Sequence, residues 1–436
     1  MNPSATLWVT TALFSLTYIA LAIGKIPRLR CDRAGIAFIG AALMLCTGVV
    51  TLRQATSPES IDYETLFLLF GMMVVVGVLR ISGFFIRVAH WALDRIRSPR
   101  GLLAVVILLS GVLSAFLVND IVCLALTPLV LHLTKRLRFD PVPHLIGLAT
   151  AANVGSTGTI TGNPQNMIIG IQSKIPYLKF ALHLMPVALI GLAINYAVIL
   201  IVYRTALSKA PGAGGGGNGE ANGNGIRNRN GATIVRPRIP TSRAHGWLLM
   251  KSGTVALITV VLFFTGLPIA LVATGAAAFL MLTRIKPARV YREAHWTLLL
   301  MFVGLFIVVH AFQLHVVSRW HVERWTFILT RPVDLLSVVS AALSNLVSNV
   351  PAVLLFEPIM RAMPPASQQT GWLALAMSST FAGNLTILGS VANLIVVENA
   401  RREGVHVSFW DYCKAGVPIT ILTLAVGIGW LMFVRY

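Results

Sequence analysis

Two long apolar runs each contain a few central polar residues, whose types could bind an ion or a small polar solute. The stretch SAFLVNDIVCLALTPL (114–129) contains Asn119 and Asp120, and SNLVSNVPAVLLFEPI (344–359) contains Asn349 at the matching place. Asparagine disfavours helices, and a carboxylate at bilayer depth is costly enough to be a functional candidate by default. Asp120 could bind Na+, exchange a proton, or only pair with a polar neighbour.

A second pair of related stretches accompanies the first. NVGSTGTITGNPQNMII (153–169) corresponds to TFAGNLTILGSVANLIV (380–396), and TLFLLFGMMVVVGVL (65–79) corresponds to TLLLMFVGLFIVVHA (297–311). The chain thus holds two copies of one pattern, each interrupted by Gly, Pro and Asn. Such repetition with interrupted apolar segments is typical of secondary transporters, and the interruptions indicate where the binding site lies.

The interruptions predict helices that break within the membrane. A break leaves amide and carbonyl groups that hydrocarbon cannot pair, so it persists where those groups coordinate something. N-terminal ends of half-helices favour anions, and C-terminal ends favour cations. Close helix packing is the alternative explanation for any single Ser, Thr or Gly at these interruptions. Taken together, the matched polar residues of the two halves predict two pseudo-symmetric pockets. The predicted substrate or ion ligands are Ser114, Asn119, Asp120, Gly155, Ser156, Thr157, Thr159, Gly162, Asn163 and Asn166 in the first half, and Ser344, Asn345, Ser348, Asn349, Gly383, Asn384, Thr386, Gly389, Ser390 and Asn393 in the second.

Composition assigns the chain to the membrane. Hydrophobic residues make up 56% of the 436 and charged residues only 11%, and the mean hydropathy is +0.78. A soluble domain carries about 25% charged residues, so this chain could not keep a water-exposed surface polar. The apolar runs are continuous over about twenty residues rather than alternating, which predicts an all-α integral membrane protein instead of a barrel.

The net charge of +20 reflects topology rather than a nucleic-acid partner. Basic residues cluster in short loops between apolar runs, as the positive-inside rule predicts for cytoplasmic loops. With five spans per half, the major clusters fall on one side, which places the central linker in the cytoplasm and both termini outside. The four cysteines are scattered without a CxxC pair, so neither structural disulfides nor a zinc site is expected.

The predicted architecture is an inverted repeat. Each half holds five transmembrane helices and one re-entrant hairpin, the hairpins being 101–134 and 333–360, whose arms are short for full crossings. The first repeat covers 1–207, a flexible Gly/Asn/Arg-rich linker covers 208–245, and the second repeat covers 246–436. The predicted localisation is the cell membrane, as a multi-pass protein of a bacterial inner membrane.

Other candidates have alternative explanations that the sequence leaves open. Glu357 is a second hairpin acid, and it lies either in a pocket or near the outer end of its arm. Cys123, one turn from Asp120, could contact a thiol-seeking substrate or simply fill apolar space. The amphipathic stretches 83–98 and 316–329 suit helices along the membrane interface, where they brace a moving part or anchor the chain.

The motifs SAFLVND…TP, ITGNPQN, SNLVSNVP and GNLTILGSVANL resemble those of the ion transporter superfamily. The branch to which they are most similar comprises arsenite permeases and the pink-eye dilution (P) protein, with the citrate transporter-like domain. Related divalent anion/sodium symporters carry Ser-Asn-Thr at each hairpin tip, whereas the tips here read Val-Asn-Asp (118–120) and Ser-Asn-Val (348–350). The sodium and dicarboxylate sites of those symporters are therefore not both intact. The resemblance implies a homodimer that moves its site by an elevator-like motion.

The predicted function is secondary active transport of a small inorganic or organic anion or oxyanion across the lipid bilayer, coupled to H+ or Na+. Arsenite or antimonite efflux is the first specific prediction, because hydroxyls and amides can bind neutral As(OH)3 and the spans carry no mid-membrane arginine. The alternative is a cation/proton antiporter of the same fold in which Asp120 is the exchanged site. The paired breaks disfavour a channel or a non-transporting scaffold. The chain is not expected to be an enzyme or to hold a cofactor other than the coupling ion, and a primary pump would need a separate ATPase subunit, since no nucleotide-binding motif is present.

Overall fold

Helices make up nearly all of the computed structural model. It describes residues 3–23, 31–88, 98–208, 226–227, 233–234, 246–283, 285–319, 331 and 333–434. Most of the predicted linker lies outside the described residues, as do 89–97 and 320–329 of the two amphipathic stretches. Inside the linker two short strands, β1 (Ile226–Arg227) and β2 (Thr233–Ile234), pair antiparallel.

The helices follow the two copies of the sequence pattern. In the first half they are α1 (Pro3–Ile23), α2 (Arg33–Cys46), α3 (Leu52–Ala55), α4 (Tyr63–Ile81), α5 (Pro99–Phe116), α6 (Asn119–Leu137), α7 (Pro141–Ser156), α8 (Pro164–Ser173), α9 (Tyr177–Val202) and α10 (Arg204–Ser208). In the second half they are α11 (Gly246–Phe263), α12 (Ile269–Met281), α13 (Pro287–Tyr291), α14 (Trp296–His315), α15 (Asp334–Val347), α16 (Asn349–Ala362), α17 (Pro365–Ala382), α18 (Val391–Arg402) and α19 (Phe409–Phe433). Three-residue 3-10 helices occur at Ile160–Gly162, Val317–Arg319 and Ile387–Gly389.

Capping side chains explain where several of these helices begin. Aspartate or serine side chains accept hydrogen bonds from the first-turn backbone of α2, α4, α5, α7 and α19, which satisfies amide groups that have no partner inside the helix. These capping residues are Asp32, Asp62, Ser98, Asp140 and Ser408. In contrast, the residues that precede α6 and α16, at the two hairpin turns, make no capping hydrogen bond through their side chains.

The helices carry the apolar surface expected in a lipid environment. Seven helices of the described part, namely α1, α4, α5, α9, α11, α14 and α19, are long and apolar enough to cross a membrane. Large side chains on their outer surfaces are exposed, for example Trp8 at 72%, Met250 at 75% and Phe433 at 89%. In water such surface would be unfavourable, whereas in lipid it is solvated. The prediction of an all-α integral membrane protein is therefore confirmed.

The two halves pack crosswise through small residues. Helix α2 of the first half packs against α14 of the second, and α12 of the second packs against α4 of the first. At these crossings a Cβ added to Gly304 would lie 2.7 Å from the carbonyl carbon of Ala37, and one added to Gly71 would lie 2.7 Å from that of Ala273. Glycine therefore lets the backbones approach closely, as is common between membrane helices.

Both hairpins and both breaks lie in the interior formed by α5 to α9 and α15 to α19. Helix α5 packs on α7, α15 on α17, α9 on α19, and α18 on α6. The first hairpin has arms of 18 and 19 residues and the second has arms of 14 each. At about 1.5 Å per residue, each arm of the first hairpin is about 27 Å long, which is close to the thickness of a hydrocarbon core of about 30 Å. The arms of the first hairpin are thus longer than the sequence analysis expected.

Candidate functional site

The first hairpin turns at Asn119, and its tip carries an acid. Asn119 is buried; its Oδ1 accepts a hydrogen bond from the backbone N of Asp120 at 2.9 Å, and its Nδ2 donates to Asn153 Oδ1 at 3.1 Å. Asp120 is 7% exposed, and within the described chain no side chain donates a hydrogen bond to its carboxylate. The first tip therefore combines a fixed amide with an acid that has no partner there.

The second hairpin turns at Asn349, whose contacts differ from those of its counterpart. With the amide oriented to satisfy both ends, its nitrogen donates to the backbone oxygens of Ser379 at 3.1 Å and Gly389 at 3.2 Å. Its oxygen then accepts from Gln165 Nε2 at 3.2 Å. Asn349 consequently joins the second tip to the broken helix of its own half and to α8 of the other half.

An arginine from outside both hairpins reaches this second tip. Arg33, at the start of α2, places Nη1 3.5 Å from Ser348 Oγ and Nη2 3.3 Å from the backbone oxygen of Leu388. Ser348 itself adopts φ +78°, a backbone region that costs a residue with a Cβ about 1–3 kcal/mol. The guanidinium therefore contacts both elements of the second pocket, the hairpin turn and the interrupted helix.

In the first half one asparagine ties together the carbonyl groups left by the break between α7 and α8. Asn166 Nδ2 donates to the backbone oxygens of Ser156 at 3.1 Å and Thr159 at 3.0 Å. Asn163 Oδ1 accepts from the backbone N of Asn166 at 2.8 Å and so caps α8, while Asn163 Nδ2 donates to Ser156 Oγ at 2.9 Å. The free ends of this break are thus bonded within the protein.

The break between α17 and α18 in the second half uses the same positions of the repeat. Asn393 Nδ2 donates to the backbone oxygens of Gly383 at 2.7 Å and Thr386 at 3.1 Å. Ser390 Oγ accepts from the backbone N of Ala392 at 3.2 Å and caps α18. Because these carbonyl groups already have donors, the breaks are held open by asparagine and need no ligand to persist.

Asn153 connects the two halves at the centre of the site. Its Nδ2 donates to Asn384 Oδ1 at 2.9 Å and Asn393 Oδ1 at 3.0 Å, and its Oδ1 accepts from Ser390 Oγ at 3.0 Å and from Asn119 Nδ2. An amide offers two donors and two acceptor lone pairs, so all the hydrogen-bonding capacity of this side chain is used. The first tip is thereby bonded, through one residue, to the second broken helix.

Thr380 occupies the position in the second repeat that Asn153 holds in the first. Its Oγ1 accepts from Asn163 Nδ2 at 3.2 Å and Gln165 Nε2 at 3.2 Å, and it lies 3.5 Å from Asn166 Oδ1. Thr380 on α17 thus bonds residues of the first break, and Asn153 on α7 bonds residues of the second break. The pair therefore joins the two breaks in a reciprocal way.

Four buried polar atoms near the tips lack a partner in the described structure. They are Ser114 Oγ, Ser344 Oγ, Asn345 Oδ1 and Tyr412 OH. Ser114 and Ser344 match each other in the repeat, while Asn345 uses its Nδ2 to donate to the backbone oxygen of Ala382 at 2.7 Å. A buried hydrogen-bonding group without a partner costs about 1–3 kcal/mol, so these atoms are where a bound solute would be stabilised.

Two of the predicted glycines are required by close backbone approach. A Cβ on Gly155 would lie 2.1 Å from the backbone oxygen of Gly111, and one on Gly162 would lie 2.2 Å from that of Ser156. At Gly389 the nearest atoms to such a Cβ would be Asn345 Oδ1 and the backbone oxygen of Gly383, both at 3.0 Å. Packing is thus sufficient to explain Gly155 and Gly162, whereas Gly389 borders a partnerless acceptor.

Three further predicted ligands donate side-chain hydrogen bonds to backbone oxygens. Thr157 Oγ1 donates to the backbone oxygen of Asn153 at 3.3 Å, and Asn384 Nδ2 donates to that of Thr150 at 3.2 Å. Thr159 Oγ1 donates to the backbone oxygen of Ala115 in the first hairpin. Thr159 and Asn384 thus hold the breaks against neighbouring helices, whereas Thr157 bonds its own helix.

The structure separates the two other candidates. Glu357 pairs with Arg361 at 2.6 Å, and Arg361 also donates to Gln172 Oε1 at 2.8 Å, near the end of α8. Glu357 therefore lies toward the end of its arm rather than at the tip. Cys123 is completely buried on α6, one turn from Asp120.

Sequence reasoning missed three residues of this network: Asn153, Gln165 and Thr380. Asn153 and Thr380 are the first residues of the two matched stretches, so the repeat itself contains the signal that could have found them. Gln165 has no polar counterpart, because the second stretch carries Ala392 there. Only its contacts reveal its position between the halves.

A helical membrane protein whose hairpins and broken helices meet in one buried polar network belongs, by architecture, to the class of membrane transporters. Comparison with known proteins specifies this class further. The sequence profile described as "Citrate transporter" matches residues 18–382, and the chain belongs to that family. The resemblance found in the motifs is thereby confirmed, and the protein is a transporter rather than an enzyme.

Individual relatives cover nearly the whole chain. A silicon efflux transporter of Oryza sativa subsp. japonica is 33% identical over 466 residues, covering 95% of each chain. The P protein of Sus scrofa is 25% identical over 470 residues, covering 90% of this chain and 55% of that protein. Among solved structures, the YdaH transporter of Alcanivorax borkumensis is similar with a TM-score of 0.52 at 15% identity, covering 99% of this chain and 96% of that one. The last likeness concerns the fold alone.

Proposed function

We propose that the chain is a secondary transporter for a small anion or oxyanion, with arsenite or antimonite as the first candidates. The observation that carries this proposal is the shared network in which Asn153 bonds the first tip to the second break. A solute bound in either pocket would affect the conformation of both pockets, because Asn153 bonds residues of each. The citrate transporter family and a relative named as a silicon exporter support small oxygen-rich substrates.

Within the network we assign two roles to the predicted ligands. Asn166 and Asn393 hold the breaks, since their amides are bonded to backbone carbonyl groups. The atoms Ser114 Oγ, Ser344 Oγ and Asn345 Oδ1 have no hydrogen-bond partner in the described residues, and they are the proposed substrate ligands. Hydroxyl and amide groups suit an oxygen-rich solute, which can both donate and accept hydrogen bonds.

Asp120 is the proposed coupling residue. It is buried at a hairpin turn without a donor from the described chain, and its counterpart in the second repeat is Val350. A carboxylate in this position can bind Na+ or exchange a proton. The same observation supports the second candidate function, a cation/proton antiporter, in which Asp120 would bind the transported ion itself.

The proposed mechanism uses an inverted repeat with re-entrant hairpins. Its support is the equivalence of the two breaks, in which Asn166 and Asn393 bond matching carbonyl groups, together with the crosswise packing of α2 and α12. The first repeat is 1–207 and the second is 246–436, with the linker in the cytoplasm and both termini outside. A homodimer and an elevator-like motion in a bacterial inner membrane complete the proposal; an ATPase subunit is needed only if the chain serves a pump.

The test measures thermal stabilisation and uptake for the purified, reconstituted chain with arsenite, antimonite, citrate, Na+ and changes in pH. Ligands of the native state raise its melting temperature. Asp120→Asn is expected to abolish the dependence of transport on H+ or Na+ while substrate binding persists, because an amide neither titrates nor replaces a carboxylate as a cation ligand. The matched control is Glu357→Gln, on the other hairpin, which should leave coupling unchanged.

The outcomes separate the candidates. Loss of coupling with retained anion binding supports the anion transporter. Stabilisation by Na+ alone, lost in Asp120→Asn, would favour the antiporter. Unchanged coupling in Asp120→Asn would remove Asp120 from the mechanism, and stabilisation by none of these ligands would contradict the proposed function.

A further inference from the structure

We infer that the two pockets carry opposite charges and that Arg33 supplies the positive charge that a substrate anion meets at the second tip. The inference rests on the proposed transport function and specifies its substrate as a hydroxyl-bearing anion. Arg33 lies outside every motif of the repeat, on helix α2. Its role is visible only through contacts between distant parts of the chain.

The guanidinium of Arg33 has free binding capacity. Its contacts with Ser348 Oγ at 3.5 Å and Leu388 O at 3.3 Å are long, and they use only part of five N–H donors. Arg33 forms no ion pair with a carboxylate of the described chain. A partly buried guanidinium without a counter-ion favours an anion, because arginine binds carboxylates and other oxyanions through paired hydrogen bonds.

Neighbouring groups give this position the features of a built site. Ser344 Oγ, one helical turn before Ser348, is completely buried and lacks a partner. Helix α16 begins directly after Ser348 without a side-chain cap, so its N-terminal dipole adds to the positive potential. The partnerless Asn345 Oδ1 can only accept, so it requires a hydroxyl or acid proton on the ligand. Together these groups select an anion that also donates a hydrogen bond.

In the described part of the chain no basic side chain bonds the first tip. Helices α2 and α12 each cross a helix of the other half, at Ala37 and Ala273 respectively, and these crossings align the two helices. Four residues before Ala37 lies Arg33, and four residues before Ala273 lies Ile269. The helix that corresponds to α2 therefore carries an apolar residue in place of the arginine. At the hairpin tips the charge lies on the other side. The first tip carries Asp120, whereas the second tip carries the apolar Val350 at the matching position. The first pocket thus suits a cation or proton and the second an anion.

The test compares binding of citrate, a hydroxyl-bearing anion, with binding of neutral arsenous acid to the full chain in lipid nanodiscs by calorimetry. Arg33→Gln keeps a polar side chain without the charge, and Arg53→Gln removes an exposed arginine of α3 as the matched control. We expect Arg33→Gln to weaken citrate binding about tenfold or more, and Arg53→Gln to match the unsubstituted protein. Binding of arsenous acid should be equal in all three proteins.

A second variant keeps the inference falsifiable where Arg33→Gln does not fold. Arg33→Cys in a background without other cysteines can be converted to a cationic side chain with an ethylammonium thiosulfonate reagent. Citrate affinity should recover on modification and should not recover with an uncharged reagent of similar size. Absence of recovery overturns the inference.

Other outcomes are equally decisive. Equal citrate affinity in Arg33→Gln and the unsubstituted chain removes Arg33 from the site and leaves the transport function standing. Exclusive binding of arsenous acid also overturns the inference, because the site would then use no charge. Failure of the unsubstituted chain to bind any solute in the wider panel contradicts the proposed function itself.

Discussion

At the scale of single residues, the buried polar side chains fall into two groups with different physical roles. Asn153 uses both ends of its amide completely, so it contributes to the stability of the fold and has nothing left for a ligand. Ser114 Oγ and Ser344 Oγ are buried without a partner among the described residues, and they lower stability unless a solute pairs with them. Experiments can therefore distinguish buried polar residues that stabilise the fold from those that bind the solute.

Ser114→Ala and Ser344→Ala should leave the melting temperature unchanged or raise it, while substrate affinity falls about 5- to 10-fold. Removing a partnerless hydroxyl relieves a desolvation cost, whereas each lost ligand hydrogen bond is worth about 1 kcal/mol. The matched control is Ser110→Ala, one turn earlier on α5, since Ser110 Oγ bonds the backbone oxygen of Val106 at 2.7 Å. Calorimetry and thermal unfolding of the three proteins check this. Wild-type affinity in both serine variants would place the ligand elsewhere.

At the scale of elements, the interrupted helices are stabilised by side chains that replace the missing helical hydrogen bonds. Asn166 and Asn393, at matching positions, each donate to the same two carbonyl positions, at 3.1 and 3.0 Å in the first half and at 2.7 and 3.1 Å in the second. The breaks are consequently preformed and persist whether or not a solute is bound. A preformed site loses less conformational entropy on binding than one that must order first.

Asn166→Ala and Asn393→Ala should each lower the free energy of unfolding by about 1–3 kcal/mol, because buried carbonyl groups lose their donor. The effect is read as a fall in melting temperature for the detergent-solubilised protein. Asn399→Ala is the matched control on α18, since none of its side-chain atoms bonds another described residue. Full stability combined with lost substrate binding would instead make these asparagines ligands.

At the scale of the whole molecule, the two halves depend on each other. The crosswise packing of α2 with α14 and of α12 with α4 means that neither half completes its own helix layer. The ion pair of Arg80 with Glu293 at 2.9 Å joins the end of α4 to the loop before α14. Reciprocal contacts through Asn153 and Thr380 complete the connection at the centre. A single half is therefore not expected to fold alone.

The proposed orientation can be tested with single cysteines in a background without the four natural ones. A cysteine at Arg289, among the basic residues before α14, should react with a membrane-impermeant reagent only after permeabilisation. A cysteine at Glu59, before α4, should react in intact cells, because the positive-inside rule places the basic loops in the cytoplasm. Both positions are exposed on the protein surface. Reaction of the Arg289 site in intact cells would invert the topology and contradict the proposal.

The sequence by itself determined the membrane class, the helix positions and the interruptions. Apolar runs of about twenty residues leave the backbone no alternative to helices in lipid, and Gly, Pro and Asn disfavour helix continuation wherever they cluster. The matched stretches also located both tips and both breaks. These features are local in the chain, so residue type and spacing suffice to predict them.

Only the tertiary structure decided which polar side chains are occupied and which are free. Asn153 bonds residues more than two hundred positions away, and Arg33 contacts Ser348, which is more than three hundred positions away. Spacing along a chain carries no information about such contacts, because they depend on how helices from different halves pack. The positive charge that we assign to the second pocket arises in the same way. It becomes visible only once α2 is packed against the second half and brings its arginine to a hairpin turn that contains no charge of its own.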